Sequence, residues 1–328
     1  MKRLLLFIVL VLGLGLPCLA LSAAEVMIEE WDLPTTGTFP HDPAVATDGA
    51  LWYTGMGANL LGRVDPATGE IREFPLPIPG SRPHGLVADR QGYIWFTANA
   101  KGYIGKLDPQ NGTVKKFPLP DPKAGDPHTL IFDARGRLWF TVQQGNFIGR
   151  LDPATGRIDL KSSPTPRSRP YGIVVNAQGV AFFCELGTNK IGRIDPDTLA
   201  ITEYLLPEGA RPRRIAVTSD DMIWYTDFAR GYLGRLDPKS GQVTEWLSPA
   251  GKSAAPYGMA ATPDGKVWYS ESGATPNTIV RFDPQTGKFA SWKIPSTGRV
   301  VRHIVATPQG DLFIACSGVN KVGVVRIK

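Results

Sequence analysis

An all-β, seven-bladed β-propeller is the fold this sequence predicts, with four antiparallel strands per blade and its ring closed by the N-terminal strand. Three features of the chain point to it. A residue following a turn (usually a proline) recurs seven times, at His41, His84, His128, Tyr171, Arg213, Tyr257 and Arg302. Eleven positions after each stands an aromatic: Trp52, Trp95, Trp139, Phe182, Trp224, Trp268 and Phe313. An alternating strand ending in Leu-Pro also occurs seven times, but out of phase, because its first copy, Ile28 to Pro34, precedes every blade. The last blade ends at Val322 to Ile327 without such a strand. Residues 28–33 are therefore expected to pair with 320–327, which removes an open sheet edge.

Within each unit the elements follow in order. The innermost strand starts after the proline, as in Gly85-Leu86-Val87-Ala88. The second carries Ile94-Trp95-Phe96-Thr97, the third Ile104-Gly105-Lys106-Leu107, and the outer one closes in Phe117-Pro118-Leu119-Pro120. Gly, Asp and Pro between them form turns. The Asp-Pro-x-x-Gly segments at 65–69, 108–112, 152–156, 237–241 and 283–287 read as turns rather than cation loops, since an EF-hand needs a denser series of acids. The tryptophans read as wedges between blades, and the Ile-Gly-Arg glycines as close-packing positions between blades.

Residues 1–24 read as a signal peptide, with Lys2 and Arg3, an apolar run from Leu4 to Leu16, and small residues before Glu25. Pro17 precedes Cys18 where lipidation favours a small residue, so a lipoprotein is the minor alternative. Residues 25–328 then form one propeller domain, expected to be an exported, soluble monomer, periplasmic or secreted and not membrane-embedded. Losing Lys2 and Arg3 lowers the formal net charge from +6 to +4, and the basic residues are spread through the repeats, which excludes a nucleic-acid stripe. Cys184 and Cys316 fall on blades four and seven, too far apart for a disulfide. The chain has no Cys-x-x-Cys, His-x-x-x-His or Gly-x-Ser-x-Gly.

Antiparallel pairing places the inner-strand starts and the second-strand ends at one mouth of the channel. Three of the four histidines, His41, His84 and His128, occupy the inner-strand column, and His303 stands one position from it. The second-strand ends contribute Glu185, Asp227 and Glu271 on blades four to six. Arg82, Arg169, Arg211 and Arg214 are further cations near this mouth. Such a concave, polar convergence is the default ligand site. A ring of polar side chains plugging the mouth is the plain alternative.

The Trp-Phe-Thr at 139–141, Asn-Lys-Ile-Gly-Arg-Ile at 189–194 and Ile-Thr-Glu-Tyr-Leu-Leu-Pro at 201–207 resemble the blade signature of the streptogramin B (virginiamycin B) lyase family over nearly all of the mature chain. The resemblance implies a seven-bladed propeller that opens a cyclic depsipeptide by elimination at its ester, with Mg²⁺, a histidine acid/base, a glutamate near the metal, and a second histidine and a tyrosine at the same mouth. In chain order the positions of the family's tyrosine and two histidines hold His41, Tyr257 and Arg302; the acid/base position thus carries Arg302, and the glutamate position falls at Cys316-Ser317. Read around the ring, the motif order returns as Pro83-His84-Gly85, Pro127-His128-Thr129 and Pro170-Tyr171-Gly172, with Val142-Gln143 at the glutamate position.

Three functions follow as expectations. The first is an exported lyase acting on a cyclic ester or related anionic compound, with His128 as acid/base, Tyr171 and His84 beside it, His41, Arg213, Tyr257, Arg302 and His303 binding ligand, and Glu185, Asp227 and Glu271 as candidate Mg²⁺ anchors. The second is a non-catalytic propeller that binds an anionic small molecule or a protein segment. The third is a calcium-dependent, lactonase-like hydrolase using Glu185, Asp227 and Asn99.

Overall fold

A computed structural model describes residues 25–328; the expected signal peptide, 1–24, with Cys18, lies outside the described residues. Seven four-stranded antiparallel sheets make up the molecule, each running from an inner strand at the channel to an outer strand at the rim. Blades one to seven begin at Pro40, Pro83, Pro127, Pro170, Pro212, Pro256 and Val301. Blade seven holds Val301–Ala306, Leu312–Cys316 and Lys321–Ile327, and its fourth strand is Val26–Asp32. The register runs from Val26 opposite Ile327 to Asp32 opposite Lys321, the predicted seam. Among the described residues no helix is long and apolar enough to cross a membrane.

The core lies between blades. Trp52, Trp95, Trp139, Trp224 and Trp268 are all fully buried, as expected of wedges. The third-strand glycines are explained differently from the sequence reading. A Cβ at Gly105 would stand 2.2 Å from the Phe96 ring, and one at Gly149 2.0 Å from Phe140. Each glycine faces that aromatic across the same blade, so it makes room for a ring within the sheet rather than for the next blade. The Asp-Pro-x-x-Gly segments are turns: Asp65 Oδ1 accepts from the Ala67 amide, and Gly69 takes φ +74°. Cys184 and Cys316 are buried and free.

One irregularity recurs in every blade and shapes the channel. Pro127 pairs with Val142 but Leu130 with Phe140, so the inner strand carries one extra residue there. The same β-bulge falls after Pro40, Pro83, Pro170, Pro212, Pro256 and Val301. The hydroxyl of the Trp-Phe-Thr motif fastens the bulge to the next blade. Thr54 Oγ1 accepts from the Asp42 amide and donates to the carbonyl of His84, and Thr97 accepts from Gly85 and donates to His128.

Candidate functional site

Each bulge holds two consecutive residues with different destinations. The first column is the one read from the sequence. His41, His84, His128, Tyr171, Arg213 and Arg302 line one depression of about 270 Å³ at the channel mouth, with Arg82, Asn99 and Gln143 at its edge. The second column is Asp42, Gly85, Thr129, Gly172, Arg214, Gly258 and His303, and its side chains turn into the channel. Glycine is required at position 85, where a Cβ would lie 2.3 Å from the His128 carbonyl.

On blades one to four the mouth is a stack. Ring centroids are separated by 3.8 Å from His41 to His84, 3.7 Å from His84 to His128, and 4.0 Å from His128 to Tyr171. His128 is only 2% exposed, so its ring is held in this stack. Burial pulls the pKa of His41 down to about 4, against the raising effect of Asp42, and holds those of His84 and His128 well below the usual histidine value. The three rings are neutral near pH 7. Among the described residues Nε2 of each has no hydrogen-bond partner and is not shielded from solvent at the mouth.

On blades five to seven the mouth is cationic and aromatic. The Arg213 guanidinium lies 3.8 Å from the Tyr257 ring centroid and 4.2 Å from that of Phe228, and Arg302 lies 5.1 Å from that of Phe39. Neither arginine pairs with a carboxylate among the described residues, and the Nε of both is buried without a partner. Tyr257 is buried beneath Arg213, and its hydroxyl meets that of Tyr171 at 2.5 Å.

Arg214 joins the two halves from inside. It is fully buried, not a surface cation of the mouth. Its Nη2 donates to Asp42 Oδ1 at 2.6 Å, its Nη1 to Thr129 Oγ1 at 3.0 Å, and its Nε to the carbonyl of Arg302 at 3.0 Å. It thus ties blade five to blades one, three and seven. His41 Nδ1 stands 2.8 Å from the same Asp42 oxygen, and His128 Nδ1 2.9 Å from the same Thr129 hydroxyl. Nearby Arg214 charge holds the Asp42 carboxyl well below its usual range despite burial.

Two expectations need correction. His303 does not line this mouth; it faces the apolar depression at the other end of the channel, beside Val305 and Thr307. Its direction follows from being second, not first, in its bulge. The acids Glu185, Asp227 and Glu271 sit at the predicted ends of their second strands, opposite Pro170, Pro212 and Pro256. Their side chains point away from the channel, between strands and loops. Glu185 accepts from Ser163 and Thr188, Asp227 from Arg230 at 2.5 Å and from the Arg211 amide, and Glu271 from Ser248, Thr278 and the Ala250 amide. Burial raises the Glu185 pKa to about 7. These carboxylates neither converge nor keep free oxygens, so they do not fit Mg²⁺, which takes oxygen donors in octahedral array. Among the described residues the group that could gather on an ion is His41, Asp42 and His84, with one ligand atom from each within 4.8 Å of the others. That is an imidazole-rich set, unlike a magnesium site; Asp42 Oδ1 is held by Arg214, while its Oδ2 is buried without a partner.

The chain matches the sequence profile of the Virginiamycin B lyase family over residues 21–180 and again over 148–328. No curated protein matches it by sequence. Among solved structures, a streptogramin B lyase superposes with a TM-score of 0.84 at 28% identity, covering 92% of this chain and 98% of that one. The Staphylococcus aureus virginiamycin B lyase gives 0.84 at 28% identity, over 93% of this chain and 100% of that one. A catalytically inactive histidine-to-alanine variant of that enzyme, crystallised with quinupristin, gives 0.83 at the same identity and coverage.

Proposed function

This chain belongs to the virginiamycin B lyase family, and on that basis we propose that it is an exported lyase that opens a cyclic ester carrying an anionic group at the mouth between the histidine stack and the arginine pair. The observation that supports this most is the pairing of reachable, neutral Nε2 atoms on His41, His84 and His128 with two guanidiniums that meet no carboxylate among the described residues. Neutral imidazoles can move a proton, and unpaired arginines can orient an anion. Tyr171, at the end of the stack, is suited to orient the ligand by its ring face, its hydroxyl being engaged by Tyr257. No step is assigned to a metal.

The test is turnover by the purified protein on a panel of cyclic depsipeptides and lactones, followed by mass spectrometry. Ring opening without added water, lost in His128→Gln, is the expected result. Opening with addition of water would mark a hydrolase instead. The unpaired arginines also favour a second reading, a binding propeller; tight anion binding with no turnover on any ester would establish it. Export predicts a native N-terminus near Glu25, and a lipid-modified Cys18 at that terminus would contradict a freely soluble form.

A further inference from the structure

We propose that Arg214 fixes opposite tautomers on two histidines of the stack, making His41 a proton acceptor and His128 a hydrogen-bond donor at the mouth. The hydrogens each neighbour has to give set the tautomers. Asp42 is ionised and can only accept, and its Oδ1 already takes a hydrogen from Arg214 Nη2. His41 Nδ1, 2.8 Å away, must therefore carry the proton, which leaves Nε2 bare. Thr129 Oγ1 receives a hydrogen from Arg214 Nη1, so its own hydroxyl hydrogen turns elsewhere. His128 Nδ1, at 2.9 Å, is the only other side-chain partner of that oxygen among the described residues. His128 Nδ1 then accepts, and the proton sits on Nε2. His84, between them, has an unpartnered Nδ1 and no such instruction. Both outer rings are held neutral near pH 7 by burial, so each carries one proton in a defined place.

Resting on the lyase reading, the two tautomers serve an elimination at the ester. His41 Nε2 removes a proton from the carbon next to the C–O bond. The released pair forms a C=C bond, the C–O bond breaks, and the carboxylate departs as an anion whose oxygen accepts a hydrogen bond from His128 Nε2–H. His41 ends protonated and His128 unchanged, and loss of one proton from His41 to solvent restores the starting state. Asp42, Thr129 and Arg214 are positioning residues; only the two imidazoles meet the ligand.

Long-range proton–nitrogen NMR correlation on ¹⁵N-histidine-labelled protein near pH 7 reads the tautomers directly. The chain has only four histidines, and His84→Gln, His128→Gln and His303→Gln assign the signals. The expected spectrum has His41 protonated at Nδ1 and His128 at Nε2. In Thr129→Val, His128 loses its single tautomer while His41 keeps its own. The same tautomer on both rings, or an unchanged His128 in Thr129→Val, would overturn the proposal even if every variant were inactive. With a turned-over ester in hand, Asp42→Asn is expected to lower kcat by at least tenfold with little change in KM; wild-type kcat would remove the catalytic role of His41. Absence of turnover on every ester defeats the lyase reading alone, since the NMR still decides the tautomers.

Discussion

The two halves of the channel mouth have the same backbone and opposite chemistry. Blades one to three present His41, His84 and His128 as a stack of neutral rings, while blades five to seven present Arg213, Tyr257 and Arg302 as charge laid on aromatic faces. Both sets occupy the first position of the same bulge. The difference lies behind them, in the second position. Asp42 and Thr129 give the histidine half its hydrogen-bond instructions, and the guanidinium that delivers them, Arg214, is rooted in the arginine half. A repeated scaffold thus acquires an asymmetric site by changing two adjacent residues per blade.

Removing that link is expected to have the largest effect. Arg214→Met leaves Asp42 buried at 1% exposure without its counter-charge, at a cost of about 3–5 kcal/mol in denaturant unfolding. Adding Asp42→Asn is expected to restore more than half of the loss. Unchanged stability in Arg214→Met would mean that the halves are not coupled through the channel.

Next comes the histidine half alone. His128→Gln keeps much of the packing of a buried ring and is expected to cut turnover by about 10²–10⁴. His128→Ala is the poorer variant, since it also opens a cavity in the stack, and a fall in melting temperature is expected with it.

The halves also differ in their response to acid. Burial lowers the pKa of all four histidines, His41 to about 4 and His303 to about 3. Below the ordinary value of about 6.5 the unfolded chain binds protons that the folded chain refuses, so stability falls as pH drops from 6.5 towards 4. Protonation of Asp42 costs further stability below the ordinary aspartate value, since its folded pKa is depressed. Melting curves between pH 8 and 4 check this. His84→Gln is expected to shrink the drop, and Arg213→Gln with Arg302→Gln to shrink it less, since their charge only adds to the effect of burial on His41 and His128.

That arginine pair is the lever for the other half. The double glutamine variant is expected to weaken binding of a carboxylate or phosphate probe by about tenfold or more and to flatten its salt dependence, with a modest loss of stability from the stacked rings. Smallest of all, Glu185→Gln is expected to leave anion affinity within about twofold of wild type by calorimetry, because its carboxyl is bonded to Ser163 and Thr188 away from the mouth. A large loss would return the acids to the site.

The ring and its seam were legible because a propeller repeats its strands at one period, and an out-of-phase strand has one place to go. The first bulge position was legible for the same reason: histidines gathered in one column. The acids misled because position along a strand fixes which end a residue occupies, not which way it points. Glu185, Asp227 and Glu271 reach the correct end and face away. Asp42 and Thr129 were missed, and Arg214 and His303 misplaced, because simple alternation assigns one channel-facing residue per strand end, whereas the bulge supplies two. The column Asp, Gly, Thr, Gly, Arg, Gly, His carried a signal: three glycines where neighbouring backbone comes close, and polar side chains wherever a side chain remains.

Closing the last blade with the first strand also leaves the molecule without a natural starting point. The Lys328 amide donates to the carbonyl of Glu25 at 3.0 Å, so the two described ends meet on the rim. A short peptide could splice them, and the chain could then be cut in any surface turn between an outer strand and the next blade. Seven permuted proteins would share one mouth, and the site would be read by seven different orders of synthesis. Comparing how fast each acquires the His41–Arg214–His128 bridge would tell whether the channel assembles from its repeats or only once the circle is complete.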